Sequence, residues 1–242
     1  MAPDQRRDHA TAIRELRPLA EQGHAKAQYN LGNMYDEGQG VPQDYAKAMG
    51  WWRKAAEQGR AEAQYNLGNM YRKGHGVRQD DAEAVKWYRK AAEQGDAKAQ
   101  YNLGLMYDEG QGVPQDDAEA VKWFRKGAAQ DLAEAQNCLG LMYANGQGVR
   151  QDDAEALKWF RKAAEQDFAE AQYSLGVVYA NGQGVPQDYA KAHMWFNLAT
   201  SKLPPGEDRD TAVENRDNVA SSMTPAQISE AQKLAREWKP KK

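Results

Sequence analysis

Residues 27–52 read AQYNLGNMYDEGQGVPQDYAKAMGWW, and the chain writes this stretch five times. Leu-Gly-x-x-Tyr opens at Leu31, Leu67, Leu103, Leu139 and Leu175, at a constant spacing of 36 residues. A fixed period of that length marks stacked supersecondary units, each contacting only its neighbours. The fold class that follows is all-α, a solenoid of helix-turn-helix repeats.

The first helix of each unit is predicted over roughly 25–37. There Ala27, Leu31 and Tyr35 fall at i, i+4 and i+8, the spacing of a helical apolar stripe. Gly32 sits in mid-helix, where glycine costs about 0.5–1 kcal/mol against alanine. Its recurrence as Gly68, Gly104, Gly140 and Gly176 predicts a close approach by a facing helix that a Cβ would block. Gly38-Gln39-Gly40-Val41-Pro42 is the break, with Gly38 suited to a left-handed C-cap and Pro42 unable to continue a helix. Asp44 is the expected N-cap. Asp80-x-x-Glu83, Asp116-x-x-Glu119 and Asp152-x-x-Glu155 have the form of capping boxes.

The second helix is expected over roughly 45–57, with Ala48, Trp51 and Ala55 on one face. Trp51, Trp87, Trp123, Trp159 and Trp195 recur at the same period and are the expected pins between units. An indole burying ~200 Å² contributes at most about 5 kcal/mol. Gly59 and Gly95 close the unit in a turn, and Asp131 and Asp167 take that place later, tolerable in a left-handed conformation with slight strain.

Shifted by one period, residues 8–23 fall on 44–59, with Asp8 on Asp44, Ala10 on Ala46, Arg17 on Arg53 and Gly23 on Gly59. The chain therefore opens with an orphan second helix that Pro18 is expected to bend or end early. After Ala199 the pattern fails. Residues 201–207 form a turn with adjacent prolines, and two further helices follow, over about 208–221 and from Thr224. The second opens with a capping box, Thr224 to Gln227, and proline at its first position. Its apolar stripe is Ile228, Ala231, Ala235 and Trp238, and 239–242 reads as a polar tail. The organisation expected is an N-terminal capping helix (1–23), five repeats (24–203, divided as 24–59, 60–95, 96–131, 132–167 and 168–203) and a C-terminal two-helix cap with its tail (204–242).

Thirty-two Lys and Arg against 35 Asp and Glu leave a net charge of −3, with no electrostatic case for nucleic acid. No apolar run is long enough to span a membrane. The single cysteine, Cys138, allows no internal disulfide. The first ten residues, MAPDQRRDHA, lack the apolar core of a secretory signal. That start implies a cytoplasmic protein if it is native, and a periplasmic or secreted one if a leader was removed.

The spacing A-x-A-Q-Y-x-L-G-x-M-Y-x-x-G-x-G-V-x-Q-D-x-A-x-A-x-x-W-x-x-K-A-A-E-Q-G resembles the Sel-one-like repeat (SLR) family of bacterial type, a relative of tetratricopeptide repeats. The resemblance runs from Ala25 to about Lys202. It implies a right-handed superhelix of αα-hairpins that scaffolds protein complexes, a monomer, and often an exported protein. MTPAQISEAQKLAREW, 223–238, is similar to a terminal helix found in bacterial members. Cysteine-rich members carry a disulfide in each unit. The lone Cys138 sets this chain apart from them and from their proposed penicillin-related activity.

A superhelix of that kind has a concave face lined by first helices. If Ala27, Leu31 and Tyr35 face inward, positions 26, 30, 33 and 37 share another face. Along the array this gives Lys26, Asn30, Asn33 and Glu37, then Asn66, Asn69 and Lys73, then Asn102 and Leu105, then Leu141, then Val177. Asparagine offers a donor and an acceptor, the complement of an extended peptide backbone. The expected partner is a protein or extended peptide, held by amides early in the array and by an apolar contact later. Identical units also inherit identical surfaces, so these asparagines are equally read as solvated relics of duplication.

Other chemistry finds little support. His9, His24, His75 and His193 are scattered, with no metal-ligand spacing. His193 replaces an apolar residue and is expected to pack against the C-terminal cap. Cys138 has no base beside it. Gly-Gln-Gly-Val lacks the lysine and the strand of a phosphate loop. Asp36-Glu37 is a solvated helix end rather than an acid–base pair. Glu83/Lys86, Glu119/Lys122 and Glu155/Lys158 are surface pairs. No catalytic residue, metal or cofactor is expected. The function read from the sequence is a non-catalytic interaction scaffold. The alternatives are a cell-wall-associated hydrolase or peptide-binding enzyme of the SLR type, and a structural or idealised array with no dedicated partner.

Overall fold

The structure, a computed structural model, describes residues 3–241; Met1, Ala2 and Lys242 of the expected cap and tail lie outside the described residues, as do the side chains of Asp8 and Ala10. Among the described residues there are thirteen α-helices and no strand. They fall into two compact units, one ending at Asp116 and one beginning at Asp117. The first holds α1 (Pro3–Glu21), α2 (Ala25–Glu37), α3 (Tyr45–Glu57), α4 (Ala61–Lys73), α5 (Asp81–Glu93) and α6 (Ala97–Glu109). The second holds α7 (Asp117–Ala128), α8 (Ala133–Asn145), α9 (Asp153–Glu165), α10 (Ala169–Asn181), α11 (Tyr189–Lys202), α12 (Glu207–Ala220) and α13 (Pro225–Glu237).

The helix ends are set by the residues the repeat places there. Gly38 takes a left-handed C-cap (φ 66°) and donates its N–H to Met34 O. Asp44 caps α3 by accepting the Lys47 N–H at 2.9 Å, and Asp80 caps α5 through the Glu83 N–H at 2.9 Å. The expected capping boxes are only half formed. The Glu83 carboxylate turns outward to Lys86 (2.5 Å), and Glu155 does the same with Lys158 (3.0 Å). A solvated ion pair one turn along competes with the reach back to the N-cap. A reciprocal box does form in α13, between Thr224 and Gln227.

The core pins differ from those read in the sequence. Trp52, Tyr88, Phe124, Phe160 and Phe196 are the most deeply buried rings, 0–3% exposed; of the expected pins Trp123 is buried, at 9%. Trp51, Trp87, Trp159 and Trp195 are only partly buried. One residue is 100° of helix, enough to turn Trp51 to the margin, where Lys54 Nζ lies 4.4 Å from its ring centroid. The buried ring explains the mid-helix glycine. A Cβ on Gly32 would lie 2.5 Å from Trp52 Cδ1, and one on Gly68 would lie 2.5 Å from Tyr88 Cδ1. The close approach is real, but an aromatic face makes it rather than a helix backbone.

Successive hairpins are joined by three recurring clamps. An arginine of the earlier second helix donates to the tyrosine that ends the next first helix: Arg53 to Tyr71 (2.5 Å) and Arg89 to Tyr107 (2.6 Å) in the first unit. In the second unit Arg125 binds Tyr143 (2.7 Å) and Arg161 binds Tyr179 (2.8 Å). A buried glutamine donates to a helix-end carbonyl, as Gln64 does to Ala56 O at 3.0 Å, and accepts from a second glutamine, Gln94, at 2.7 Å. The second glycine of each loop rests on the start of the preceding second helix. A Cβ on Gly76 (φ 70°) would meet the Tyr45 backbone at 2.8 Å.

Helix α1 makes the same contacts one step earlier. Arg17 donates to Tyr35 (3.1 Å), Gln28 to Ala20 O (3.0 Å), and Gly40 rests on the His9 backbone. Pro18 does not end it; the helix runs on to Glu21. The proline ring is exposed, and buried Ile13 and Ala20 hold the helical face where a backbone bond is missing.

At the other end α12 and α13 pack on α11. Trp195 and Trp238 meet edge to face at 5.8 Å, and Val219 joins the cluster of Phe196 and Tyr179. His193 is buried there, and burial, with Arg216 nearby, pushes its imidazole below the usual range. Lys241 is docked rather than free. Lys241 donates its N–H to Glu165 O at 2.8 Å and pairs with the Glu165 carboxylate at 2.7 Å.

Asp131 (φ 59°) and Asp167 (φ 72°) are the non-glycine residues with positive φ among those described. Asp131 offers only a 3.3 Å bond to Gln136, whereas Asp167 accepts from Gln172 and pairs with Lys202. Asp131→Gly is therefore expected to raise the thermal midpoint by about 1–2 °C, for relief of roughly 0.5 kcal/mol of strain. Asp167→Gly is expected to lower it. Paired thermal melts followed by circular dichroism check both signs.

Candidate partner-binding surfaces

In the first unit the residues expected to meet a partner do not share one environment. Asn33, Glu37, Asn66, Asn69 and Lys73 come together in a cleft of about 690 Å³, with Tyr29, Asp36, Gln43, Tyr45, Trp52 and His75 completing its walls. Lys26 and Glu37 are exposed, and Asn30 is partly buried outside the cleft lining. Asn102 is buried and Leu105 half-buried.

The cleft is mostly polar and has two sides. On one, burial and the neighbouring Glu37 push the Asp36 carboxyl above its usual range, opposed by His75 and Lys73. On the other, His75 stacks on Tyr45 with ring centroids 5.1 Å apart, beside Lys73. Acidic and basic groups within reach of one another, with amides in the same lining, suit a chain that carries both charges and a hydrogen-bonding backbone.

Two of the asparagines are already employed. Trp52 Nε1 donates to Asn33 Oδ1 at 2.9 Å, and the Tyr88 hydroxyl donates to Asn69 Oδ1 at 2.7 Å. A buried indole or phenol needs such an acceptor. Where the buried ring is phenylalanine, at 124, 160 and 196, the matching first-helix residue is Leu105, Leu141 or Val177. The change from amide to apolar along this face therefore tracks the polar atom of the ring, and has a packing cause. Asn66, whose amide reaches only Asn33 Oδ1 at 3.4 Å, is the less committed amide of the cleft.

In the second unit Leu141 is 41% exposed, and Val177 is half-buried in a separate hollow of about 410 Å³ with Tyr173, Tyr189 and Phe196. Helix α12 supplies the other wall through Asn215, Asn218 and Val219, and Asn215 donates to the Tyr173 hydroxyl at 2.9 Å. The sequence reading missed this role of α12 and the buried glutamines. The signal for the glutamines was present, since Gln28, Gln64, Gln100, Gln136 and Gln172 hold one position in every copy. Among the described residues no three His, Cys, Asp or Glu side chains converge as a metal site, and no helix is long and apolar enough to cross a membrane.

The family model for the Sel1 repeat matches residues 25–59, 61–96, 97–132, 133–168 and 169–202. The chain is a Sel1 repeat protein. Its fold is all-α, of the SLR solenoid class that the sequence pattern implied. A Sel1 repeat protein from Oxalobacter formigenes has a similar solved structure, with TM-score 0.77 and 33% identity over 95% of this chain and 99% of that one. A second is c5321 of uropathogenic Escherichia coli, described as a protective antigen displaying an SLR fold. It gives TM-score 0.63 and 32% identity over 96% of this chain and 56% of that one. A Sel1 repeat protein from Klebsiella pneumoniae gives 0.51 and 26%, over 85% and 98%. Comparison with functionally curated proteins gives no match. Sel1 repeat proteins are in general protein-interaction scaffolds and typically non-catalytic.

Proposed function

We propose that this Sel1 repeat protein is a non-catalytic scaffold that binds an extended segment of a protein partner in the cleft of its first compact unit. The observation that carries this reading is the convergence of Asn33, Glu37, Asn66, Asn69 and Lys73 on one cleft of about 690 Å³, within the range of ligand-binding clefts. The amides of Asn33 and Asn69 are held in place by Trp52 and Tyr88, so the polar surface is preorganised and loses little freedom on binding. The scaffold acts as a monomer, with residues 1–23 and 204–242 serving as caps for the repeats at 24–203.

The test uses the residues of the cleft that hold no core ring. Asn66→Ala combined with Lys73→Ala is expected to weaken a partner captured from source-cell lysate by about tenfold, at roughly 1 kcal/mol per lost hydrogen bond. Far-ultraviolet circular dichroism should be unchanged. An affinity equal to that of the native chain would remove this cleft from the binding surface.

A further inference from the structure

The second unit carries a different concavity with a different chemistry. Leu141 of α8, Tyr173 and Ser174 of α10, and Leu203 at the end of α11 form a dish of about 330 Å³, closed on one side by Asp208 and Thr211 of α12. Its floor is carbon and its rim is acidic, with Glu170 and Asp208 both exposed. We propose that this dish is a docking site for a protein segment carrying a large aliphatic side chain next to lysine or arginine.

Three observations support that occupant. Leu141 is 41% exposed, one of three large apolar side chains left open among the described residues, and it lies in this concavity. The volume is at the small end for ligand clefts, so it suits an anchoring side chain rather than a whole small molecule. The charge is one-sided. No lysine, arginine or histidine lines the dish, and neither Glu170 nor Asp208 joins an ion pair among the described residues. Glu207 and Asp210 add to the acidity of the same helical turn, where Arg209 is the one cation and does not line the dish. An apolar segment with acidic neighbours would meet repulsion here, while a basic neighbour would reach both carboxylates.

The walls are also firm. Ser174 Oγ donates to Glu170 O at 3.0 Å and lies 3.4 Å from Asn137 Oδ1, and the Tyr173 hydroxyl is fixed by Asn215. The floor therefore needs little reordering to receive a side chain. This site does not depend on the cleft of the first unit, and its chemistry is the reverse. That cleft is polar and carries both charges; this dish is apolar and carries one.

The experiment is an amide and methyl NMR titration of the full chain with short blocked peptides containing Lys-Leu-Lys, Lys-Ala-Lys or Glu-Leu-Glu. Lys-Leu-Lys is expected to shift Leu141, Ser174 and Thr211, with the other two binding at least about tenfold more weakly. Leu141→Asp is expected to abolish the shifts. Glu170→Lys with Asp208→Lys is expected to transfer the preference to Glu-Leu-Glu. All three positions face solvent, and thermal melts report whether each variant folds; if one does not, discrimination among the peptides by the native chain still decides. The Asn66→Ala, Lys73→Ala chain should titrate like the native one, so failure of the first-unit reading leaves this one standing. Equal binding of Lys-Leu-Lys and Glu-Leu-Glu, or no response at Leu141, overturns the proposal. So does sedimentation that finds a dimer abolished by Leu141→Asp, since a second copy would then occupy the dish.

Discussion

Trp52→Ala is expected to lower the free energy of unfolding by about 3–5 kcal/mol, whereas Trp51→Ala, one residue away, is expected to lower it by about 1 kcal/mol. Trp52 is 3% exposed, lies flat against Gly32 and donates its indole N–H to Asn33 and to Tyr29 O at 3.2 Å. Removing it opens a cavity against a glycine, which has no side chain to fill it, and leaves Asn33 Oδ1 without its principal donor. Trp51 loses a margin contact and a solvent-facing Lys54. Chemical denaturation of both variants, followed by circular dichroism, gives the comparison. Equal losses would return the pin to the residue that the sequence pattern favoured.

The second large effect is expected at Gly68. Leucine there would place its Cβ 2.5 Å from the Tyr88 ring, and Tyr88 is fully buried with its hydroxyl tied to Asn69. A buried ring tied at its far end cannot swing clear without breaking that bond, so α4 and α5 are expected to part. Overpacking of this kind costs about 1–3 kcal/mol, and more where nothing can yield, so a loss of at least about 3 kcal/mol is expected. Nearest-neighbour coupling carries stability through a repeat array, so unfolding should also separate into stages. Gly50→Leu is the control. Gly50 is exposed in α3 with nothing within 4 Å of its missing Cβ, and the change is expected to stabilise by about 0.5 kcal/mol through helix propensity alone. A single transition with the native midpoint in the Gly68 variant would contradict the ring-on-glycine account.

These two cases show where the sequence was legible and where it was not. Helix ends such as Ala25–Glu37 and the left-handed Gly38 followed from local chemistry, which needs only a few neighbouring residues. The pin did not. Position 51 is tryptophan in every copy, while position 52 and its equivalents vary among tryptophan, tyrosine and phenylalanine. Invariance drew the reading to a position that is buried only at Trp123, because a ring stacked on glycine needs a flat face and tolerates several edges. The candidate surface was half legible. Its residues were found by helical phase, but phase alone cannot say that Asn33 and Asn69 serve a buried ring. That showed only once each was paired with the residue nineteen places on.

The clamps between hairpins have a further consequence, for how such a gene changes length. Arg53 and Arg89 are interchangeable, as are Tyr71 and Tyr107, and each clamp reaches only to the adjoining copy. Slippage during replication that removes or adds one full period within the repeats therefore rejoins a tyrosine to an arginine and a loop glycine to a helix start, and it keeps each amide with its ring where the cut falls outside the span from first-helix residue to ring. Reading frame and fold survive the same event. The number of copies can therefore change without a new fold, because each copy answers only to its neighbours.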